Sequence, residues 1–279
     1  MLDVHTGLTR SLIDGAEVAH TDSGGDGEPL LLIHGGGLAD WLTPLAATPE
    51  LKGYRVIRMV RAGYTGRPVP AGLTVADHAR HAATLLRQLD AAPAHVVAHS
   101  SGSAIALQLA VDDPSSVRTV ALCEPPLVDT LADPADRDAL HAAFGPVLGS
   151  AMAATARGDH AAAFDAFMAL VCGPGYRAVL DGVLGAGPVD DAARHSGDFF
   201  TGELPAVGTW TFDPAVIRPV LLIQGADSPP PVHRLIAHVA GLLPESSVVT
   251  VGHADHLMPL TAPAELGDVV ARFCRSRRR

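Results

Sequence analysis

The stretch best able to do chemistry is Val96-Val97-Ala98-His99-Ser100-Ser101-Gly102-Ser103-Ala104. An apolar run passes straight into a helix-forming run through small-x-Ser-x-Gly, a turn so sharp that the residues two before and two after the serine must be small. Ala98 and Gly102 meet that demand around Ser100. With Ser101 as nucleophile, His99 would fill a slot that wants a small side chain, so Ser100 is the candidate. The bland reading is a helix N-cap serine followed by small packing residues. Position argues for chemistry, because a second glycine-rich turn, His34-Gly35-Gly36-Gly37, stands upstream at another strand end. A serine attacking an acyl carbon needs N–H donors aimed at the oxyanion. One would be Ser101, the residue after the nucleophile; the other comes from the glycine turn, at Gly36 with Gly37 as the alternative. A phosphate loop competes for these glycines, but no Lys-Ser/Thr pair follows and the spacing is not dinucleotide-like.

A base is needed as well. His256 lies in Val251-Gly252-His253-Ala254-Asp255-His256-Leu257-Met258-Pro259, 156 residues after Ser100, so only the fold could pair them. His253 competes, but it sits closer to the strand end. His253-x-Asp255-His256 also looks like half of a binuclear zinc motif. Position 251 is valine where that motif has a further histidine, and no separate ligand cluster is evident. No metal and no organic cofactor is expected.

These residues need a scaffold. Asp14-Gly15 supplies the positive φ angles of a tight turn, making 11–19 a small hairpin. Short apolar runs follow at 30–33, 55–60, 95–98, 119–122, 220–223 and 247–251, each continuous enough for a strand covered on both faces. Helical patterns sit between them: 74–89 with a capping Thr74, 100–111, and 263–273 opened by Pro263. Strands alternating with helices give a mostly parallel sheet flanked by helices. Between about 126 and 210 the pattern offers only helical pieces, at 135–148, 160–171, 176–184 and 190–200. We read 1–127 and 208–279 as two parts of one α/β core and 128–207 as a helical cap (lid) inserted between them.

Composition narrows the function. Of 279 residues, 48% are hydrophobic and 18% charged, enough for a sizeable core, so wholesale disorder is out. A formal charge of -10 argues against a nucleic-acid partner, and the basic run at 275–279 reads as a solvated terminus. Cys123, Cys172 and Cys274 are odd in number with no metal or redox spacing, so a reducing cytoplasm is the expected setting. Residues 1–20 carry charges and no apolar h-region, unlike a signal peptide. No charge-free apolar run reaches the roughly 18 residues of a membrane span.

Over nearly its whole length the chain resembles the α/β-hydrolase superfamily. The likeness rests on His34-Gly35-Gly36, on Arg61-Ala-Gly-Tyr-Thr-Gly66, on the turn at Ser100, on the cap and on the His256 loop. It implies a serine hydrolase with the order Ser, acid, His. Two departures stand out. Ala98 replaces the commoner glycine, and the usual acid slot, fourth in Gly-x-x-Asp from Gly225, holds Ser228 with Asp227 one residue early. Some members carry the acid at the end of the strand after the nucleophile, here Glu124. Zearalenone lactonases are similar in using Glu there beside the same Ser-Ser-Gly core, and this favours Glu124 over Asp227. The resemblance therefore implies a Ser100-Glu124-His256 triad and hydrolysis of an apolar ester or lactone. An acyltransferase, a lyase and a non-catalytic ligand-binding member are the alternatives. The expected partner is that small molecule, with a homodimer allowed.

Overall fold

The computed structural model describes residues 7–131, 133–211, 214 and 218–277. Residues 1–6 of the segment read above as unlike a signal peptide, and 278–279 of the basic run, lie outside them. Eight strands form one sheet: β1 (Thr9–Ile13), β2 (Ala16–Asp22), β3 (Glu28–Ile33), β4 (Tyr54–Val60), β5 (Ala94–His99), β6 (Val117–Cys123), β7 (Val220–Gly225) and β8 (Ser246–Val251). Their order is β1-β2-β4-β3-β5-β6-β7-β8, antiparallel at β1-β2 and β2-β4 and parallel throughout the rest. Asp14 and Gly15 have φ of 51° and 79°, which turns β1 back on β2 as their types require.

The central apolar runs are continuous because both faces of the sheet are covered there; the run at 247–251, expected to be covered likewise, is the edge strand β8, with Ser247, Val248 and Thr250 exposed. Leu30, Leu32, Val97, Ala121 and Ile223 join one core; Leu31, Ile33, Val96, Ala98, Val120 and Leu222 join the other. Successive strand residues point to opposite faces, so each strand from β3 to β7 feeds both cores. The layers between β3 and β6 contain α1 (Thr43–Ala46), α2 (Val75–Gln88) and α3 (Gly102–Asp112). Thr74 and Asp77 close a reciprocal capping box at the start of α2.

Between β6 and β7 the described chain holds no strand. It runs through α4 (Pro134–Ala156), α5 (His160–Cys172), α6 (Tyr176–Leu184), α7 (Ala186–Arg194), a π-helical turn (Phe199–Glu203) and α8 (Leu204–Gly208). The single helix expected over 190–200 is two elements, α7 and the π turn, broken by a turn at His195–Ser196. Helix α4 passes through Pro146 and ends eight residues beyond its expected end. By length and composition α4 could cross a membrane, although its sequence includes Asp136, Arg137 and Asp138. After β7 come α9 (Pro230–Leu242), α10 (Met258–Thr261) and α11 (Pro263–Ser276). Helix α9 is not among the expected helices; it opens at Pro229-Pro230-Pro231, with Pro230 and Pro231 in first-turn positions, where no N–H is needed.

Candidate active site

Strand β5 ends at His99 and α3 begins at Gly102, leaving two residues to reverse the chain. Ser100 does so at φ 50°, and its N–H donates to the Cys123 carbonyl of β6 at 2.9 Å. A Cβ on Gly102 would lie 2.5 Å from the His34 carbonyl oxygen, so the glycine lets the helix start touch the turn after β3. Gly35 is equally confined, with His99 Nδ1 2.8 Å from where its Cβ would be. Ala98 is fully buried within the strand, so its methyl is accommodated at the position where the resemblance led us to expect glycine.

Glu124 follows β6 at φ 46°, its N–H donating to the Ile223 carbonyl at 2.9 Å. Oε2 accepts from His256 Nδ1 at 2.9 Å. Oε1 accepts from the Gly225 N–H at 3.0 Å and from the Ser228 hydroxyl. Burial pushes this carboxyl up, but the His256 hydrogen bond and charge, Gly225 and Ser228 together outweigh it and hold the pKa at about 2. With Nδ1–H committed to the carboxylate, a neutral His256 keeps Nε2 as a proton acceptor.

The His256 ring is fixed from two further sides. His99 Nε2 donates to the His256 carbonyl at 3.0 Å, its ring centroid 4.6 Å from that of His256. Burial, then the neighbouring His256, pushes the His99 pKa down to about 3, so it is a neutral donor here. Trp41 stacks obliquely on His99 and sends its indole N–H to the Gly36 carbonyl at 2.9 Å. Asp227 is exposed and gives only its backbone N–H, to the Ala254 carbonyl at 2.9 Å. His253 is exposed too. Of the two acids weighed, it is Glu124 that meets His256, and Ser228 in the usual acid slot meets Glu124.

The two oxyanion alternatives separate by hydrogen bonding. Gly37 N–H is taken, donating to the Tyr64 hydroxyl at 3.0 Å. Among the described residues no acceptor engages the N–H of Gly36 or of Ser101. Ser101 immediately precedes α3, whose N-terminal partial charge favours an anion nearby. Over this turn lies the helical insertion. Phe199 presses on Gly36, where an added Cβ would come 2.3 Å from its ring, and Phe164, Phe167 and Met168 lie against Gly37. Two cavities of about 220 and 300 Å³ lie nearby, both lined by Tyr64 and Phe199 and neither by Ser100 or His256.

Sequence reasoning missed a buried polar cluster beside this turn. Glu203, in the π turn, accepts from Arg61 Nη2 at 2.9 Å, from the Ser101 hydroxyl at 2.8 Å and from the Tyr64 hydroxyl at 2.6 Å. Arg61 Nη2 also donates to the Gly35 carbonyl at 3.0 Å. Burial favours the protonated acid, yet the Arg61 charge and the hydrogen bonds around it hold the Glu203 pKa below its ordinary value. Arg61 and Tyr64 sit in the segment that carries the family likeness; nothing local marks Glu203, which lies 142 residues after Arg61.

A family model described as alpha/beta hydrolase fold matches residues 28–263. Over 116 residues the chain is 39% identical to the dihydrolipoyllysine-residue acetyltransferase component of the acetoin cleaving system of Cupriavidus necator, covering 40% of this chain and 30% of that protein. Over 120 residues it is 35% identical to a 2-hydroxymuconate semialdehyde hydrolase of a Pseudomonas species, covering 41% and 42%. The matched part spans less than half the length of either relative. A solved thermophilic esterase from Thermogutta terrifontis shares the fold, with a TM-score of 0.67 at 18% identity over 97% of this chain and 98% of that one.

Proposed function

The chain belongs to the alpha/beta hydrolase family, and we propose that within it this protein is a serine hydrolase cleaving a carboxylic ester or lactone of an apolar small molecule. The observation that carries the reading is the hydrogen bond from the half-buried His256 to the buried Glu124 carboxylate, at the strand end beside the Ser100 turn. Ser100 Oγ attacks the acyl carbon while His256 Nε2 takes its proton. Ionised Glu124 stabilises the imidazolium, and the Gly36 and Ser101 N–H groups hold the oxyanion. Collapse expels the alcohol oxygen, which takes the proton back from His256, and leaves an acyl-serine. Water then attacks, giving its proton to His256, and the acid leaves as the serine is restored.

The helices between β6 and β7 act as the cap that roofs this site. Phe164, Phe167, Met168 and Phe199 around the glycine turn favour an apolar acyl group over a sugar or nucleotide. The Ser-Ser-Gly core with Glu124 makes a lactone of the zearalenone type an attractive substrate, and the similar esterase supports an open ester. A second reading, acyl transfer to a thiol, amine or alcohol, draws on the 39% identical acetyltransferase component. Hydrolysis of p-nitrophenyl esters and lactones, with fluorophosphonate labelling of wild type and Ser100→Ala, tests the proposal. Turnover and labelling that both vanish in Ser100→Ala are expected. Wild type that neither turns over nor labels would sink the hydrolase, and products carrying an added nucleophile would favour the transferase.

A further inference from the structure

We propose that Glu203 is the positioning residue of the oxyanion hole, its single buried carboxylate holding both halves of the hole in register. The inference rests on the assignment of the Gly36 and Ser101 amides as the oxyanion donors. Those amides come from separate segments: Gly36 from the turn after β3, Ser101 from the start of α3. An oxyanion hole works only when its donors stand at fixed positions before charge develops, and an error of a few tenths of an ångström in one of them weakens it. The carboxylate reaches both segments. On one side it accepts from the Ser101 hydroxyl at 2.8 Å, fixing the residue whose amide is a donor. On the other it binds Tyr64 at 2.6 Å and Arg61 at 2.9 Å. Tyr64 in turn accepts the Gly37 N–H at 3.0 Å, and Arg61 donates to the Gly35 carbonyl at 3.0 Å. Gly36 is thus clamped between two neighbours that both trace to Glu203.

The cluster is built for fixed geometry. The side chains of Arg61 and Glu203 are 0% and 7% exposed, so water does not compete for these bonds. Glu203 belongs to the inserted helices, whereas every group it binds belongs to the sheet core. The hole is therefore complete only while this π turn is docked, which couples seating of the insertion to the competence of Ser100.

Four variants and two readouts test the idea. Tyr64→Phe and Ser101→Ala each remove one hydroxyl and keep the Arg61–Glu203 pair, so they fold even where Glu203→Leu does not. Glu203→Gln keeps an acceptor for Arg61 and Ser101 and can meet Tyr64 through its amide. The first readout, amide hydrogen exchange, needs no substrate: Tyr64→Phe and Glu203→Leu are expected to speed exchange at Gly37, whose N–H bonds Tyr64, and Ser101→Ala and Glu203→Leu at Ser103 and Ala104, whose N–H groups bond the Ser100 and Ser101 carbonyls. In the second, ester kinetics, kcat falls about tenfold or more in Glu203→Leu with KM within about threefold, and Glu203→Gln restores most of it. Wild-type exchange at these amides in all variants, with only a lower melting temperature, would overturn the proposal. So would unchanged kcat in a folded Glu203→Leu. Should wild type hydrolyse no ester, the exchange data still decide the positioning role, and the ester reading alone falls.

Discussion

Glu124→Gln replaces one oxygen by nitrogen, and the donors around the carboxylate decide where that nitrogen goes. Oε1 faces the Gly225 N–H, a backbone donor that cannot turn away, and the rotatable Ser228 hydroxyl. Placing the amide nitrogen there would set N–H against N–H and leave a buried donor unpaired, at a cost of about 1–3 kcal/mol. Placing it at the Oε2 position sets it against His256 Nδ1, which can accept by moving its own proton to Nε2. That exchange costs far less, so the amide nitrogen faces His256. In the proposed mechanism the imidazole then carries N–H on the nitrogen that should take the Ser100 proton, and the negative charge that would stabilise the imidazolium is gone. A wrong tautomer of this kind lowers kcat by about 10⁴ in a serine protease triad, and we expect a loss of that order here. The assay is ester or lactone turnover beside wild type, with melting temperature measured to show that Glu124→Gln folds and Asp227→Asn as the comparison. A Glu124→Gln enzyme retaining more than about a tenth of wild-type kcat would refute the reasoning. So would an inactive Asp227→Asn.

Three further outcomes follow from packing and burial. Gly102→Ala drives a methyl to within 2.5 Å of a backbone oxygen that cannot yield as a side chain would, so a loss of about 3 kcal/mol is expected in denaturant unfolding, together with most of the activity. Gly149→Ala, mid-helix in α4 with open space around it, should instead gain up to about 1 kcal/mol. With pH, burial holds the His78 and His99 pKa values down to about 4 and about 3, and the unfolded chain takes up those protons below about 6.5. Unfolded protein then binds more protons than folded, so stability is full above about pH 6.5 and falls as pH drops, at roughly 1.4 kcal/mol per pH unit for each histidine. Glu124, at about 2, adds its own loss below about pH 4.5. Melting temperatures from pH 7.5 to 4 check the sign; a flat profile, or a rise toward acid, would contradict it.

The sheet was legible because its central strands bury both faces and so appear as unbroken apolar runs between turn residues, although the run of β8 proved to be an exposed edge. The turn at Ser100 was legible because sterics demand small residues at Ala98 and Gly102. The acid was less so. Glu124 and Asp227 are equally plausible as residue types, and what separates them is a backbone placement, one ending β6 and the other facing solvent. Ser228 showed only as a missing aspartate, since no one-dimensional pattern says that a serine there would reach a carboxylate 104 positions earlier. Helix α9 opens on three prolines, whose meaning changes from breaker to starter with their position. Glu203, Arg61 and Tyr64 meet across 139 to 142 residues, and only packing of the π turn onto the core brings them together.

Ser100 and Glu124 both sit in the left-handed backbone region, on adjacent strand ends, at φ 50° and 46°. For side chains with a Cβ such a conformation costs roughly 1 kcal/mol or more apiece. At Ser100, glycine would relax the main chain while removing the proposed nucleophile; at Glu124 the same change would strand the Gly225 N–H and the Ser228 hydroxyl, which outweighs the relief. A sturdier, silent descendant of this scaffold is therefore accessible by one substitution at Ser100, and a screen for thermal robustness alone would select against the proposed nucleophile while sparing its acid.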